Sequence, residues 1–235
     1  MGKNKIRKWA EMEEYPNVIQ PRFEDVFRKD HELKGNWKKG FFSNNNPLIL
    51  ELGCGKGEYT IGMARERPLI NFLGIDIKGA RMWKGAGTAI KESITNVGFV
   101  RTRIELIESF FATDEVDEIW ITFPDPQLKK RRNKKRLTGS RFLNYYRSFL
   151  KKEGLIHLKT DSRELYDYTL SLISKNNLEI VRNTSDLYSE ENLNDTLKIR
   201  THYEQMFLDE GREITYVCFK IDSAEPLIEI NTDDE

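Results

Sequence analysis

The sequence predicts an α/β fold in which a mostly parallel sheet of seven strands carries helices on both faces. Short apolar runs, beginning with residues 48–52 and 71–76, alternate along the chain with segments of helical periodicity. Such alternation is typical of a parallel sheet covered by helices. The connection before the last apolar run, residues 214–221, has little helical pattern. The final strand is therefore expected to run antiparallel to its neighbour.

The elements follow one another without an internal repeat. Strands are predicted where short runs are rich in β-branched and aromatic residues, namely at residues 48–52, 71–76, 99–104, 116–123, 154–160, 178–181 and 214–221. Helices are predicted where apolar residues recur every three or four positions, namely up to about residue 67, at 80–94, after Gly139, from Asp161 and briefly at 203–208.

The composition limits the classes of protein to which the chain could belong. Its 235 residues carry 38 basic and 38 acidic side chains, so no general attraction to nucleic acid is expected. Two cysteines make no disulfide framework, and three histidines show no metal-site spacing. There is no apolar run of membrane-spanning length and no signal peptide. We therefore expect a cytoplasmic protein that uses neither a metal nor a membrane.

The length suits one α/β domain with modest extensions. Residues 1–46 are expected to form an N-terminal arm and a lead-in segment that packs on the domain. The start of the arm is either a frayed terminus or a flexible segment that orders on nucleic acid. Residues 47–222 would form the domain itself. Residues 223–235 are acidic and are expected to be disordered.

The most informative stretch is residues 118–138. Pro124 and Pro126 bracket Asp125, and each disfavours the helical conformation for the residue before it. Asp125 is therefore expected in a stiff turn at the carboxyl end of a strand, where open α/β sheets bind ligands. A dense run of cations follows, here named the cationic strip: Lys129, Lys130, Arg131, Arg132, Lys134, Lys135 and Arg136. A carboxylate beside so many cations indicates chemistry on a polyanion.

A second candidate site follows the first strand. Gly53, Gly55 and Gly57 form a turn in which the backbone can approach a ligand closely. The turn lacks the third glycine position of the dinucleotide-binding fingerprint. Glu51 and Asp76 interrupt apolar strands at their carboxyl ends. The alternative is that both acids only face solvent and the glycines only cap a turn, but two acids at ligand-facing strand ends favour a binding site.

The turn Glu51-Leu-Gly-Cys-Gly-Lys-Gly resembles the glycine-rich turn of S-adenosylmethionine-dependent methyltransferases, whose class I members have a Rossmann-like fold. The resemblance implies S-adenosyl-L-methionine as cofactor. It places the methionine amine near Glu51, the backbone of Gly53 and Gly55 against the ligand, and the ribose hydroxyls at Asp76.

The resemblance is weaker on the adenine side of the expected cofactor site. Members of the class usually have an acid just after the third strand. Arg103 falls at that position in an ungapped alignment, and Glu105 follows two residues later. Glu105 is therefore the expected adenine-side acid. The resemblance also implies that Asp125 lies beside the cofactor.

The motif Phe-Pro-Asp-Pro, the lysine four residues after its aspartate and the basic run ending in Arg-Leu-Thr closely resemble the tRNA (guanine-N7)-methyltransferases. The resemblance extends from Leu48 to Glu204, although Gln127 stands where the family usually has tryptophan. It implies methylation of N7 of a tRNA guanosine, guanosine 46 of the variable loop, by a monomer or homodimer. Asp125 would be the catalytic residue, and the implied substrate-binding residues are Lys129, Asp161, Thr201, Tyr203 and Glu204.

Several alternatives stay open at the level of sequence. Asp161 with Glu164, and Thr201 with Glu204, have the spacing of helix N-caps and need not contact a ligand. The chain could be a methyltransferase for another RNA, a protein or a small molecule. It could also be a non-catalytic RNA-binding module on this fold, although the intact glycine turn argues against that interpretation.

Overall fold

The fold is described from a computed structural model of the chain, which describes residues 3–223 and 225–230. In that part of the chain the strands are β1 (Val18–Ile19), β2 (Leu48–Leu52), β3 (Asn71–Asp76), β4 (Val97–Arg101), β5 (Val116–Thr122), β6 (Leu150–Thr160), β7 (Ile180–Thr184) and β8 (Thr215–Lys220). The α-helices are α1 (Lys3–Glu13), α2 (Phe23–Val26), α3 (Glu58–Glu66), α4 (Gly79–Lys91), α5 (Ser140–Tyr146), α6 (Arg163–Lys175), α7 (Asp195–Lys198) and α8 (His202–Asp209). A π-helix spans Trp37–Phe41, and 3-10 helices span Ile104–Ser109, Lys130–Lys135 and Leu187–Ser189.

The strands form a single sheet in the order β1-β4-β3-β2-β5-β6-β8-β7. Neighbours from β1 to β6 pair in parallel, whereas β8 is antiparallel to both β6 and β7. The predicted mostly parallel sheet and its antiparallel last strand are confirmed. The described residues contain one strand more than the seven expected, because Val18 and Ile19 pair with Phe99 and Val100 of β4.

Two hydrophobic clusters lie on opposite faces of the sheet. Successive side chains of a strand point to opposite faces, and accordingly Leu48 and Leu50 belong to one cluster while Ile49 belongs to the other. The first cluster takes further side chains from α5 and α6, and the second takes them from α1, α3 and α4. Helices therefore cover both faces, as predicted.

Three strand boundaries differ from the prediction. β4 ends at Arg101, because the chain turns there into the 3-10 helix Ile104–Ser109. β6 begins at Leu150, whose pairing with Val116 precedes an irregularity in the register. β7 is shifted towards the carboxyl terminus and lies at the edge of the sheet, so its apolar residues Ile180 and Val181 are exposed.

Residues 3–13 of the N-terminal arm form helix α1, which packs over α4. Met12 is fully buried, and the Trp83 indole N–H donates to Glu11 Oε2 at 2.6 Å. The lead-in segment also packs, since Trp37 is fully buried and its indole N–H donates to the Phe110 carbonyl at 2.7 Å.

Residues 225–230, which belong to the segment expected to be disordered, lie against α5 and α6. Leu227 is buried, and its N–H donates to Asn144 Oδ1 at 2.8 Å. Glu229 Oε2 accepts a hydrogen bond from the Ser140 hydroxyl at 2.9 Å, and its Oε1 accepts one from the Tyr168 hydroxyl at 2.7 Å. Residues 231–235 of the predicted tail lie outside the described residues.

Candidate active site

Most of the predicted site residues lie where the parallel strands end, along the edge of the sheet formed by their carboxyl ends. β2, β3, β5 and β6 are parallel, so their carboxyl ends meet at the same edge. Glu51 and Asp76 lie at the ends of β2 and β3, whereas Asp125 and Asp161 follow β5 and β6. Four carboxylates from distant parts of the sequence are thus brought to one edge.

The glycine-rich turn folds back over the end of β3. The N–H groups of Gly53 and Cys54 donate to the Ile75 carbonyl at 2.8 and 3.1 Å. Gly53 and Gly55 have φ values of +79° and +55°, a conformation that glycine adopts without steric cost. The Gly55 N–H donates to Asp76 Oδ2 at 2.9 Å. The turn and Asp76 therefore form one unit, with Gly53 exposed at its surface.

Glu51 is a buried carboxylate held by two hydroxyl groups. It is 2% exposed. The Thr60 hydroxyl donates to Oε2, and the Thr122 hydroxyl donates to Oε1 at 2.7 Å. Burial, opposed by these hydrogen bonds and reinforced by the charge of Asp76, raises the pKa of Glu51 to about 7. Because a buried carboxylate is stabilised by a nearby cation, this position suits a ligand that brings one.

These residues fit S-adenosyl-L-methionine. Its ammonium group beside Glu51 would offset the cost of burying that carboxylate. Asp76 accepts one backbone hydrogen bond on each oxygen, from Gly55 and from Lys78. Since a carboxylate has about four acceptor positions, Asp76 keeps capacity for ribose hydroxyls.

The raised pKa of Glu51 predicts a pH dependence of the ligand-free protein. The folded protein keeps a proton on Glu51 up to about pH 7, whereas the ordinary value is 4.5, so stability should fall as pH rises through this range. Glu51→Gln removes the titration. We expect it to raise the free energy of unfolding at pH 8 by up to about 3 kcal/mol, with little difference near pH 4.5. Urea unfolding of both proteins measures this, and identical pH profiles would contradict the assignment.

Two left-handed residues fix the Asp125 loop. Phe123 and Gln127 have φ values of +48° and +51°, which cost non-glycine residues about 1 kcal/mol each. Phe123 thus avoids the right-handed helical region, as expected before Pro124, but it is left-handed rather than extended. Its N–H donates to the Lys159 carbonyl at 2.8 Å. The Gln127 N–H donates to Asp125 Oδ1 at 3.0 Å, while the carboxylate stays exposed.

Arg136 braces this loop from the interior, which corrects its assignment to the cationic strip. It is 8% exposed, and its Nε donates to the Pro126 carbonyl at 3.2 Å. Its guanidinium carbon lies 4.1 Å from the centroid of the Tyr168 ring, and the Tyr168 hydroxyl donates to Glu229. Arg136 is therefore a structural support of the loop and does not face a polyanion.

The end of the cationic strip lies near the glycine turn. The side chains on its exposed surface are those of Lys129, Arg131, Arg132, Lys134 and Lys135. Leu137 follows the strip, and a Cβ placed on Gly53 would lie 4.0 Å from its Cδ1. The strip therefore ends beside the expected cofactor site.

Asp161 is connected to the Asp125 loop through Arg212. Arg212 Nη1 donates to Asp161 Oδ2 at 2.9 Å, and its guanidinium carbon lies 4.8 Å from the centroid of the Phe207 ring. The Phe207 ring in turn lies 6.0 Å from the ring of Phe123. A chain of side-chain contacts thus links Asp161 to Phe123, at the start of the Asp125 loop.

The two capping alternatives have opposite outcomes. Ser162, not Asp161, is the N-cap of α6, since its hydroxyl accepts from the Leu165 N–H. Thr201 is the N-cap of α8 and forms a capping box with Glu204. Capping therefore explains Thr201 but does not explain Asp161.

A buried ion pair holds the segment that carries Tyr203. The side chains of Lys159 and Glu204 are 0% exposed, and Nζ lies 2.7 Å from Oε1. Lys159 Nζ also donates to the carbonyls of Leu197 and Ile199 at 2.9 and 3.1 Å. Glu204 is thus buried in this pair, and its predicted contact with the substrate stays a prediction. Tyr203 is 41% exposed and lies at the surface.

The predicted adenine-side residues lie at the start of a 3-10 helix. Arg103 and Glu105 are both exposed there. This 3-10 helix packs against α5, and burial, together with the charge of Glu105, raises the pKa of the Tyr146 hydroxyl. An adenine contact of Glu105 stays a prediction.

Sequence reasoning missed four side chains that organise the site: Thr60, Thr122, Lys159 and Arg212. Thr122 and Lys159 are polar residues inside apolar strands, and buried polar groups nearly always have hydrogen-bond partners. That signal could have found both. Arg212 lies in a polar loop, where no local pattern distinguishes it from other exposed cations.

Solved structures of similar fold include a 16S rRNA methyltransferase, KamB, with a TM-score of 0.61 and 12% identity, over 83% of this chain and 96% of that chain. A 30S ribosomal A1408 methyltransferase from an uncultured bacterium has a TM-score of 0.58 and 20% identity, over 81% and 95%. At these identities the likeness concerns the fold alone. Together with the glycine turn, Glu51 and Asp76, the fold defines this protein as a class I methyltransferase.

Comparison of sequences narrows the class. Residues 45–217 match the family described as "Putative methyltransferase". The tRNA (guanine-N(7)-)-methyltransferase of Christiangramia forsetii is 52% identical over 94% of this chain and 99% of that protein. The protein of that name from Bacteroides thetaiotaomicron is 47% identical over 99% of this chain and 93% of that protein. The one from Listeria monocytogenes is 35% identical over 93% of this chain and 98% of that protein. The chain belongs to the tRNA (guanine-N7)-methyltransferase family, as the motif around Asp125 predicted.

Two further observations concern the residues that the structure describes. None of their helices is both long and apolar enough to cross a bilayer. They also contain no cluster of three or more His, Cys, Asp or Glu side chains that could hold a metal ion.

Proposed function

We propose that this protein transfers the methyl group of S-adenosyl-L-methionine to N7 of a guanosine in tRNA, at guanosine 46 of the variable loop. The observation that carries the proposal is the fixed Asp125 loop, which lies at the same sheet edge as the glycine turn and continues into the exposed cations of the strip. A carboxylate between a methyl-donor site and a polyanion-binding strip fits this substrate better than a small molecule.

The chemistry requires little of the protein beyond orientation and charge. Guanine N7 carries an in-plane lone pair and no proton, so its attack on a methyl group needs no general base. The ring gains positive charge as the new bond forms, and a preorganised carboxylate stabilises that charge. Asp125 would orient the base by accepting from its N–H groups and would offset the developing charge.

Glu51, Asp76 and the backbone of Gly53 and Gly55 would hold the cofactor, which supplies an electrophilic methyl group on its sulfonium. The raised pKa of Glu51 supports its role, because an ammonium group beside it would favour the ionised form. Binding in this way fixes the donor at the edge of the sheet where Asp125 also lies.

On the substrate side, Asp161 would be a second carboxylate facing the base. Its link through Arg212 to the Asp125 loop supports this role. Lys129 and the exposed part of the strip would neutralise phosphates, which positions the RNA without reading its sequence. Thr201, the N-cap of α8, and Tyr203, in its first turn, would contact RNA. We also propose that the protein acts in the cytoplasm, as a monomer or a homodimer.

Labelled cofactor and unmodified tRNA test the proposal directly. We expect label on guanosine 46, identified as 7-methylguanosine by its susceptibility to reduction and aniline cleavage. A matched tRNA with 7-deazaguanosine at that position lacks the N7 lone pair and should receive no label. Lys129→Ala should raise the KM for tRNA about tenfold, whereas Lys152→Ala, at the amino end of β6, should not. Label on another base, or on the 7-deaza substrate, would end the proposal.

A further inference from the structure

A second group of cations, from the glycine turn and from α4, lies around Tyr203. Tyr203 lies in the first turn of α8 and is 41% exposed. Lys56 Nζ and Arg81 Cζ each lie 5.9 Å from the centroid of its ring, within the range of a cation–π interaction. These three residues are here named the Tyr203 cluster. They bring together side chains from the glycine turn, α4 and α8.

The cluster continues into a groove of about 610 Å³ between α3, α4 and the segment before α8. Lys56, Lys84 and Arg200 are among the cations that line it. Glu58 also lies in the groove, but it is already engaged by Lys84 Nζ at 3.5 Å and by the His202 N–H at 2.8 Å. Among the described residues, the ion pairs do not include Lys56 or Arg81. Cations outnumber acids in the lining of the groove, where Lys56, Arg65, Lys84 and Arg200 face only Glu58 and Glu66.

The end of the cationic strip and the Tyr203 cluster both lie next to the glycine turn. Leu137, which follows the strip, lies beside Gly53, whereas Lys56 directly follows Gly55 and faces Tyr203. An RNA held only by the strip would be fixed on one side of the methyl donor. The cations of the Tyr203 cluster would bind the RNA strand where it continues past the nucleotide that is methylated.

We propose that the Tyr203 cluster is a second RNA-binding surface, on which one unstacked base lies against the Tyr203 ring while Lys56 and Arg81 bind its flanking phosphates. The inference rests on the proposed function and deepens it. Enzymes that modify a base commonly take it out of its stack, and its neighbours then lose a stacking partner. An exposed aromatic ring replaces such a partner, as in proteins that bind single-stranded nucleic acid.

Binding of unmodified tRNA, measured by fluorescence anisotropy at several salt concentrations, tests the inference. Arg81→Ala should raise the Kd about fivefold and lower the slope of log K against log salt by about 0.7 to 0.9. Lys91→Ala removes an exposed cation at the opposite end of the same helix and should change neither quantity. Tyr203→Ala should raise the Kd about tenfold with an unchanged salt slope, because stacking carries no charge.

Tyr203→Phe separates stacking from structure. It keeps the ring and should bind tRNA within about twofold of wild type, while the thermal unfolding of all variants should match wild type because the side chains are exposed. If Arg81→Ala and Tyr203→Ala bind tRNA as Lys91→Ala does, the surface serves something other than RNA and the inference is wrong. Formation of 7-methylguanosine by wild type in the same preparation keeps that result distinct from a failure of the proposed function.

Discussion

Asp125→Asn is expected to lower kcat by about 100- to 1,000-fold, the usual cost of removing one group that stabilises transition-state charge. Asparagine keeps the size of the side chain and its oxygen can still accept from the Gln127 N–H, so the loop should keep its conformation. Only the negative charge is lost. Single-turnover methylation at saturating tRNA and cofactor measures the chemical step without interference from binding.

Asp167→Asn is the matched control, because Asp167 is an exposed carboxylate on α6 that pairs with Arg163. It should leave the single-turnover rate unchanged. An Asp125→Asn enzyme as fast as this control would remove Asp125 from the mechanism. A slow Asp125→Asn enzyme whose affinities for tRNA and cofactor match wild type would locate the defect in the transition state.

Lys159→Met is expected to destabilise the fold by about 3–5 kcal/mol, because it leaves Glu204 as an unpaired charge in the interior. Glu204→Gln should also destabilise the fold, but by less, because the Lys159 ammonium keeps the carbonyls of Leu197 and Ile199 as hydrogen-bond acceptors. Burial already lowers the pKa of Lys159 against the opposing charge of Glu204. The double variant should be more stable than Lys159→Met alone. Urea unfolding of the four proteins completes a double-mutant cycle.

The exposed pair Arg163–Asp167 provides the comparison for this cycle, because its side chains are 59% and 53% exposed. Its coupling energy should not exceed about 1 kcal/mol. Equal coupling energies in the two cycles would show that the Lys159–Glu204 pair is screened by solvent, contrary to its burial.

The parts of the site that sequence could predict are those determined by neighbouring residues. The glycine turn depends on positive φ at Gly53 and Gly55, which few other residues adopt. Asp125 is marked by the two prolines around it. The alternation of apolar runs predicted the order of strands and helices, and the helix-poor connection before residue 214 indicated that the last strand reverses direction.

The parts that sequence could not predict depend on contacts between distant segments. Arg136 looks like its neighbours in the cationic strip, yet it points inward because Tyr168 and the Pro126 carbonyl lie beneath it. Asp161 has the spacing of a cap, but the neighbouring Ser162 caps the helix. The burial of Glu204 depends on its partner Lys159, which is 45 positions earlier in the chain.

The support of the Asp125 loop extends beyond the residues that define the family. Glu229 binds the hydroxyl of Tyr168, the ring of Tyr168 packs on Arg136, and Arg136 holds the carbonyl of Pro126 next to Asp125. The family match ends at residue 217, so a protein trimmed to that match would lose the outermost member of this relay. A domain boundary drawn from the family model alone would remove part of the support of the Asp125 loop.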